Sequence, residues 1–399
     1  MKKLRVAVLH NSYTHFGGED VVFQAESELL RSYGHEVLTY TVSNDALNRL
    51  SGWRMARQAI WNPDTYRNLR QWFAEHKPDV VHFHNILYIL SPSSYQAAYD
   101  CGVPVVQTLH NYRLICPGGQ LLRNGKPCEL CVGKSFPIWG SVYGCYRGDR
   151  RATLIRTLIV LNQRRMGVWG NAIQIFLALT EFSRQKFIEG GLPAHKLVVK
   201  PNFVHPDPGE GEHTGGFALF VGRLSQEKGI DVMLRAWEQA PSHIPLRIIG
   251  DGPLAVQVQQ AAARHPHIQW LGKQPREQVI EQMRAARLLI FPSVCYETMG
   301  LSLVEAMATG LPVVASAHGS MASMLAHGET GFLFEPGNAD ALREQVMRVW
   351  EQPALLERVG RAARAEYLSR YTAERNHEML MEIYQRAIEE RKEATACVS

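Results

Sequence analysis

Short apolar runs recur along the chain, each followed by a polar or glycine-containing stretch and then, in most cases, by residues whose hydrophobic positions return at helical spacing. In the first half the runs fall at 4–9, 35–42, 79–83, 103–110, 175–179 and 197–200, and in the second at 217–221, 246–249, 268–272, 288–291 and 312–316. Runs of this length that are apolar throughout are the pattern of strands covered on both faces of a parallel sheet. Residues 21–33 and 181–190 read as helices between strands, and 351–391 is helical by periodicity with a break near 369–372. Pro201, Asn202 and the Pro/Gly-rich run 205–216 form a linker. The pattern therefore predicts an α/β chain of two domains, 1–204 and 205–370, with a terminal helical segment at 371–399.

The stretch 288–316 carries the most information. Its strand is stopped by Pro292 and Ser293, a loop follows, and Leu301, Val304 and Ala308 recur at helical spacing before Gly310 and Pro312 end the pattern. Glu297 falls in the loop and Glu305 in the second helical turn, so both carboxylates can face the mouth beyond the strand ends, where open α/β sheets bind ligands. The helix start near Thr298 and Gly300 offers free backbone N–H groups and a positive dipole end, which suits a phosphate. A carboxylate beside it can accept from vicinal hydroxyls, as on a ribose. These features describe a sugar-nucleotide site; the plainer alternative is a solvated glutamate pair flanking an ordinary helix.

Composition narrows the class. A chain of 399 residues with 46% hydrophobic content can bury two domain-sized cores. No apolar run approaches a membrane span, and Met1-Lys-Lys leads into a strand instead of a signal-peptide core, which predicts a cytoplasmic protein. The net charge of +5 favours anionic ligands or membrane surfaces and is too small for a dedicated nucleic-acid binder.

Other residues stand where strand ends would deliver them. Gly17 and Gly18 let the loop at 11–20 approach a ligand without a Cβ in the way. His82 and His84, two apart on a strand, point the same way and suit either part of a metal site or a strand end beside a ligand cleft. His110 closes the run at 103–110; a structural histidine bonded to a backbone carbonyl is the alternative to a functional one. In the loop GRLSQEKG, residues 222–229, Arg223 and Lys228 can reach one phosphate pair, the first as a planar fork and the second as a point charge. The turn beginning at Gly250 lets the backbone approach a flat ring.

Cys116, Cys128, Cys131 and Cys145 lie in a glycine- and proline-containing insertion at about 116–145. Four thiolates match a structural, tetrahedral zinc; redox-labile disulfides and free thiols are the other readings. Cys101, Cys295 and Cys397 have no partner spacing and read as packing or tail residues. The following run, 146–169, carries Arg147, Arg150, Arg151, Arg156, Arg164 and Arg165 beside Leu154, Ile155, Leu158, Ile159 and Leu161. It reads either as a basic amphipathic helix on an anionic membrane or as a helix packed on its own domain with a solvated basic edge.

FPSVCYETMGLSLVEAMATGLPVVAS, residues 291–316, closely resembles the signature of retaining glycosyltransferase family 4. The loop at 222–229 resembles that family's G-R-L-x-x-x-K-G segment, and the T-x-H-N run from Thr108 to Asn111 its histidine segment. The resemblance implies the GT-B arrangement: two Rossmann-like domains facing each other across a cleft, with the last helix, within 371–399, returning to the first domain. It implies that Glu305 holds the donor ribose and that Glu297 touches the donor sugar's hydroxyls. The backbone of Thr298, Met299, Gly300 and Leu301 would meet sugar and phosphate, and Arg223 and Lys228, in the loop opened by Gly222, would hold the diphosphate. Gly17 and Gly18 would lie against the donor, His110 near the reaction centre, and Gly250 at the base. Ser323 departs from the family, which places an acidic residue there, and the cysteine module occurs only in part of it.

The implied activity is transfer of a sugar from a UDP- or GDP-sugar to a hydroxyl with retention, attack coming from the leaving-group side. Fixed cations would stand in for a divalent metal, so no cofactor is needed for catalysis. The first domain would hold a saccharide acceptor, lipid-linked or a polysaccharide precursor, and membrane contact would be peripheral, on the inner face. Two alternatives stay open: a nucleotide-sugar epimerase of the same architecture, and a zinc-containing nucleic-acid-binding protein.

Overall fold

The apolar runs of the first half become six parallel strands: β1 (Arg5–Ser12), β2 (Glu36–Ser43), β3 (Val80–Asn85), β4 (Val105–Thr108), β5 (Ile175–Ala178) and β6 (Leu197–Val199). The computed structural model describes residues 3–12, 17–43 and 52–396. Strand order is β2-β1-β3-β4-β5-β6, with every pair parallel. β3 and β4 are buried along their whole length, because helices cover both faces of the sheet. The expected run at 103–110 contributes only Val105–Thr108 to the sheet, which leaves His110 just past the strand end.

The second sheet comprises β7 (Ala218–Val221), β8 (Leu246–Ile249), β9 (Ile268–Gly272), β10 (Leu288–Phe291), β11 (Val313–Ser316) and β12 (Phe332–Phe334), in the order β9-β8-β7-β10-β11-β12. Both sheets thus have the doubly wound order of a Rossmann-like domain. The order reverses between β1 and β3 in the first and between β7 and β10 in the second, and those reversals are where such sheets open a crevice.

Two compact units follow from this. One takes Met1–Gln120, Glu129–Lys200 and Asn376–Ser399; the other takes Leu121–Cys128 and Pro201–Arg375. The terminal helix, Ala373–Ala396, is built into the first unit's core: Leu380, Met381, Ile383, Tyr384 and Ala387 pack with Val6, Val8, Phe23 and Ile175, and Met379 and Ile388 lie against them half-buried. The second core gathers Trp237, Leu246, Ile248, Ile290, Val314 and Val349.

The insertion divides between the units. Its hairpin, Leu122–Arg123 with Lys126–Pro127, belongs to the second, where Leu122 packs against the core. The rest belongs to the first. α1 (Gly18–Ser32) follows β1, α2 (Ser93–Asp100) follows β3, and α3 (Ile138–Tyr143) leads to α4 (Arg150–Arg165), against which it packs. Asp149 caps α4, accepting from the N–H groups of Arg151 and Ala152. The sequence reading groups Arg156 with the other arginines of the run, as part of a basic edge, and Leu154 and Leu158 with its apolar residues. α4 keeps Arg150, Arg151 and Arg165 exposed but buries Arg156 with Thr153, Thr157, Ile159, Val160 and Gln163, and exposes Leu154 and Leu158. One period of helix sets this, since 153, 156, 157 and 160 share a stripe.

Candidate functional site

In the second unit the loops after β7 and β10 are locked together. Gly229 has φ of 71°, and a Cβ there would come within 1.9 Å of the Pro292 carbonyl oxygen, so only glycine allows this approach. The contact brings Lys228 to the other loop, where its Nζ lies 2.7 Å from Glu297 Oε1. Ser293 Oγ is 2.5 Å from the same oxygen and 2.9 Å from the Glu227 carbonyl oxygen. Ser320 Oγ donates to the carbonyl oxygens of Glu297 and Thr298, at 2.6 and 3.2 Å, and His318 Nε2 lies 2.8 Å from that of Ser293. Burial works against the Lys228 charge, but Glu297 beside it overrides this and holds the ammonium above its ordinary value.

α5 (Arg276–Ala285) follows β9, and α6 (Leu301–Thr309) starts at Gly300, whose extended backbone serves as N-cap with the Phe291 ring beneath it. The free N–H groups of α6 therefore open just past Thr298 and Met299, both buried. Glu305 sits one turn on, 9% exposed. Burial raises its carboxyl to about 7, and Arg276, whose Nη2 is 3.8 Å away, offsets only part of that. Arg223 is exposed at the start of its loop. Gly250 has φ of 144° and approaches the Gly222 carbonyl so closely that a Cβ would lie 1.9 Å from it. Gly222, Arg223, Lys228, Gly250, Glu297 and the start of α6 thus belong to adjoining strand-end loops of one sheet.

In the first unit, Gly17 caps α1 and donates its N–H to Asp20 Oδ2 at 2.9 Å, while Asp20 Oδ1 lies 2.8 Å from His10 Nε2. A Cβ on Gly18 would meet nothing within 4 Å. Residues 13–16 of this loop lie outside the described residues, as does Cys397. Past β4, His110 Nε2 is 3.0 Å from His84 Nδ1, and their rings stack. Glu26 Oε2 lies 3.3 Å from the other His84 nitrogen, and Glu26 Oε1 is ion-paired with Lys200.

Burial works to raise the Glu26 carboxyl; Lys200, with His84 and His82, overrides it and keeps the group well below the ordinary carboxylate value. An ionised carboxylate facing His84 Nε2 favours a proton there, so His84 Nδ1 accepts from His110 Nε2. Burial, with His84 and His10, lowers His110 to about 3, which makes it a neutral imidazole at physiological pH. Glu26, His82 and His84 are within metal-ligating reach of one another. Both His82 nitrogens are already engaged, with the Tyr384 hydroxyl at 2.8 Å and Thr108 Oγ1 at 2.7 Å, and Lys200 occupies the carboxylate. The cluster is a hydrogen-bonded strand-end network.

Cys116 and Cys131 are buried, and Cys116 and Cys145 border Gly118. Cys131 Sγ is 3.6 Å from the Pro137 carbonyl oxygen. Among the described residues Cys116, Cys131 and Cys145 do not form a group within ligating reach, and Cys128 belongs to the hairpin of the second unit. Sequence reasoning missed Arg276, Ser293, Glu26 and Lys200. Glu26 had a signal: it falls on the buried stripe of α1 with Val22, Phe23, Leu29 and Leu30, where an acid needs a partner.

Known proteins resemble this chain in sequence and in fold. Residues 16–208 match the family model described as Glycosyltransferase Family 4, and residues 207–366 that described as Glycosyl transferases group 1. The chain is 33% identical over 161 residues to D-rhamnosyltransferase WbpZ of Pseudomonas aeruginosa, covering 39% of this chain and 42% of that protein. It is 33% identical over 175 residues to phosphatidyl-myo-inositol mannosyltransferase of Mycobacterium leprae, covering 43% and 46%. It therefore spans about half the length of these relatives. The fold is similar to that of Anabaena Alr3699/HepE in complex with UDP-glucose, with a TM-score of 0.66 at 17% identity over 97% of this chain and 99% of that one. It is also similar to sucrose-phosphate synthase of Thermosynechococcus elongatus, with a TM-score of 0.70 at 17% identity over 96% and 98%. The fold is thus two Rossmann-like α/β domains of the GT-B type with a C-terminal helix.

Glu305 gives a pH-dependent prediction. A carboxyl raised from 4.5 to about 7 keeps its proton in the folded chain where the unfolded chain has lost it. The folded state therefore loses stability as pH rises from the lower value to the higher and carries the full deficit above both. Glu305→Gln is expected to raise the unfolding free energy by on the order of 3 kcal/mol at pH 8 and to leave it nearly unchanged at pH 4.5, measured by urea unfolding. An equal effect at both pH values would show an unperturbed carboxyl.

Proposed function

We propose, from the premise that this chain belongs to the glycosyltransferases of family 4 with the GT-B fold, that it is a retaining glycosyltransferase. It moves a sugar from a UDP- or GDP-sugar to a hydroxyl of a saccharide acceptor, lipid-linked or a polysaccharide precursor. The observation that carries this reading is the convergence, at one strand-order reversal, of Lys228, Glu297 and the open start of α6, with Glu305 buried a turn further on. A phosphate meets N–H groups and an ammonium there, and a hydroxyl-bearing ring meets carboxylates.

In this reading Arg223, Lys228 and the N-terminus of α6 stabilise the negative charge that grows on the leaving diphosphate, the task for which other transferases use a divalent metal. Lys228 has three donors, so it can keep Glu297 and still meet a phosphate oxygen. Glu297, fixed by Ser293, accepts from the donor sugar's hydroxyls, and Glu305 from the ribose. Contact with two hydroxyls favours the ionised form of Glu305, which links donor binding to proton release near neutral pH. His110 is assigned to the donor sugar as a neutral, oriented imidazole. An epimerase would need acid and base groups poised at the sugar; the family matches favour transfer.

Membrane contact is part of the proposal. No described helix is long and apolar enough to cross a bilayer. Phe136, Trp139, Val142 and Tyr143, at or within α3, and Leu154 and Leu158 on α4 are exposed beside Arg150 and Arg151, also exposed. Aromatic and aliphatic side chains ringed by arginine suit the interface of an anionic bilayer. Zinc on Cys116, Cys128, Cys131 and Cys145 would require Cys131 to leave the Pro137 carbonyl and join the others.

A panel of UDP-, GDP- and ADP-sugars is expected to contain one donor that raises the melting temperature of the protein, with the rise abolished by Glu305→Ala and by Arg223→Ala; no response to any donor sinks the reading. Sedimentation with vesicles should show binding to phosphatidylglycerol and not to phosphatidylcholine, weakened several-fold by Trp139→Asp. Equal binding to both lipids, or none, removes the membrane surface. Metal analysis should find about one zinc per chain, lost in Cys131→Ser, if the four thiolates form a tetrahedral site; a metal-free preparation that is fully folded excludes it.

A further inference from the structure

The first unit contains a cavity of about 70 Å³ between the strand ends of β3 and β4 and the inner face of α4. His84, His110 and Gln163 line it, together with Asn85, Tyr88, Arg113 and Arg156. Arg156 is the unusual member. Only 5% exposed, it projects from the buried stripe of α4, and its guanidinium carbon lies 3.4 Å from the centre of the Tyr146 ring. One nitrogen donates to the Pro117 carbonyl oxygen at 3.2 Å, and Nε has no hydrogen-bond partner among the described residues. The charged and titratable groups facing it are a second cation, Arg113, and two phenols, Tyr88 and Tyr146. It forms no ion pair with a carboxylate among the described residues.

A buried guanidinium facing another guanidinium is costly unless an opposite charge compensates it. Burial and Arg113 both lower the Arg156 guanidinium from its ordinary value. Burial works to raise the Tyr88 hydroxyl, but Arg156 pulls it below its ordinary value, as a cation does with the nearest available acceptor. Tyr88 itself is held at φ of 81°, a left-handed conformation that a bulky side chain adopts only when its surroundings force it, and such strain collects at binding sites.

We propose that this cavity binds an anionic group of the acceptor, a phosphate or a carboxylate, with Arg156 and Arg113 as its counter-charges. The inference rests on the reading of the chain as a transferase with a saccharide acceptor, and it adds that this acceptor is acidic. A bound anion would meet the guanidinium fork, restore the missing opposite charge and satisfy Arg156 Nε. The anion has two sources: the phosphate through which a saccharide is attached to a lipid, or the carboxylate of an acidic sugar residue.

The test is calorimetric titration of the full-length protein with inorganic phosphate, inorganic pyrophosphate and glucuronate, with glucose as the neutral control. It is made on the wild type, on Arg156→Met and on Arg223→Ala, the last to silence phosphate binding by the second unit. At least one anion should bind wild type and Arg223→Ala alike and lose about tenfold or more in affinity in Arg156→Met, while glucose does not bind. Preference for the phosphates assigns the anion to a phosphate-linked acceptor, and preference for glucuronate to an acidic sugar. If Arg156→Met does not fold, Arg113→Met carries the same comparison. The proposal is overturned if no anion binds wild type, or if binding survives both arginine substitutions or disappears in Arg223→Ala. Titration of the same preparations with nucleotide sugars separates the two readings: lost donor binding with intact anion binding counts against the transferase, and the reverse against the pocket.

Discussion

A parallel sheet covered by helices on both faces leaves polar chemistry little room except at the carboxyl ends of its strands, and both units of this chain obey that constraint. Along β3, β4, β10 and β11 every side chain is buried, so functional groups gather at the last residues of a strand or just beyond it. His110 and Arg113 follow β4, Arg223 and Lys228 follow β7, and Glu297 follows β10. The reversal of strand order lets neighbouring loops diverge, and in the second unit Lys228 and Glu297 follow the two strands that flank it.

Buried charge is handled in two ways. Glu26 and Lys200 neutralise each other within the first core, and the histidines around them take up the remaining lone pairs and protons, which fixes ring orientation as far as His110. Breaking such a pair is far more destabilising than never having built it, since the abandoned partner stays buried. Among the described residues Arg156 has a ring and a carbonyl oxygen against it but no carboxylate. The contrast separates a charge that serves architecture from one held open for a visitor.

Much of this was legible in the sequence, for identifiable reasons. The apolar runs located the strands, and the 291–316 and 222–229 segments located the loops around Lys228 and Glu297, because strand-end chemistry is local along the chain. Side chains that act across the fold were hidden. Arg276 reaches Glu305 from another helix, and Lys200 meets Glu26 from the far end of the domain sequence. Arg156 was misassigned because composition counts arginines without regard to helical phase; the stripe shared by Thr153, Arg156, Thr157 and Val160 runs inward. The units divide at Lys200/Pro201 and Arg375/Asn376, and the membership of Leu121–Cys128 depends on contacts that no local pattern encodes.

That membership affects modularity. Each unit draws on more than one stretch of chain, because the hairpin leaves the first unit for the second and the terminal helix returns to the first. A fragment ending at residue 200 would lack Leu380, Ile383 and Tyr384 from its core and carry a hairpin whose packing partners are missing. Recombination at the linker, the obvious seam for exchanging one half between homologues, would therefore transplant neither unit intact. A chimaera would have to carry the hairpin and the terminal helix with their proper cores, so the two halves are constrained to diverge as a matched pair.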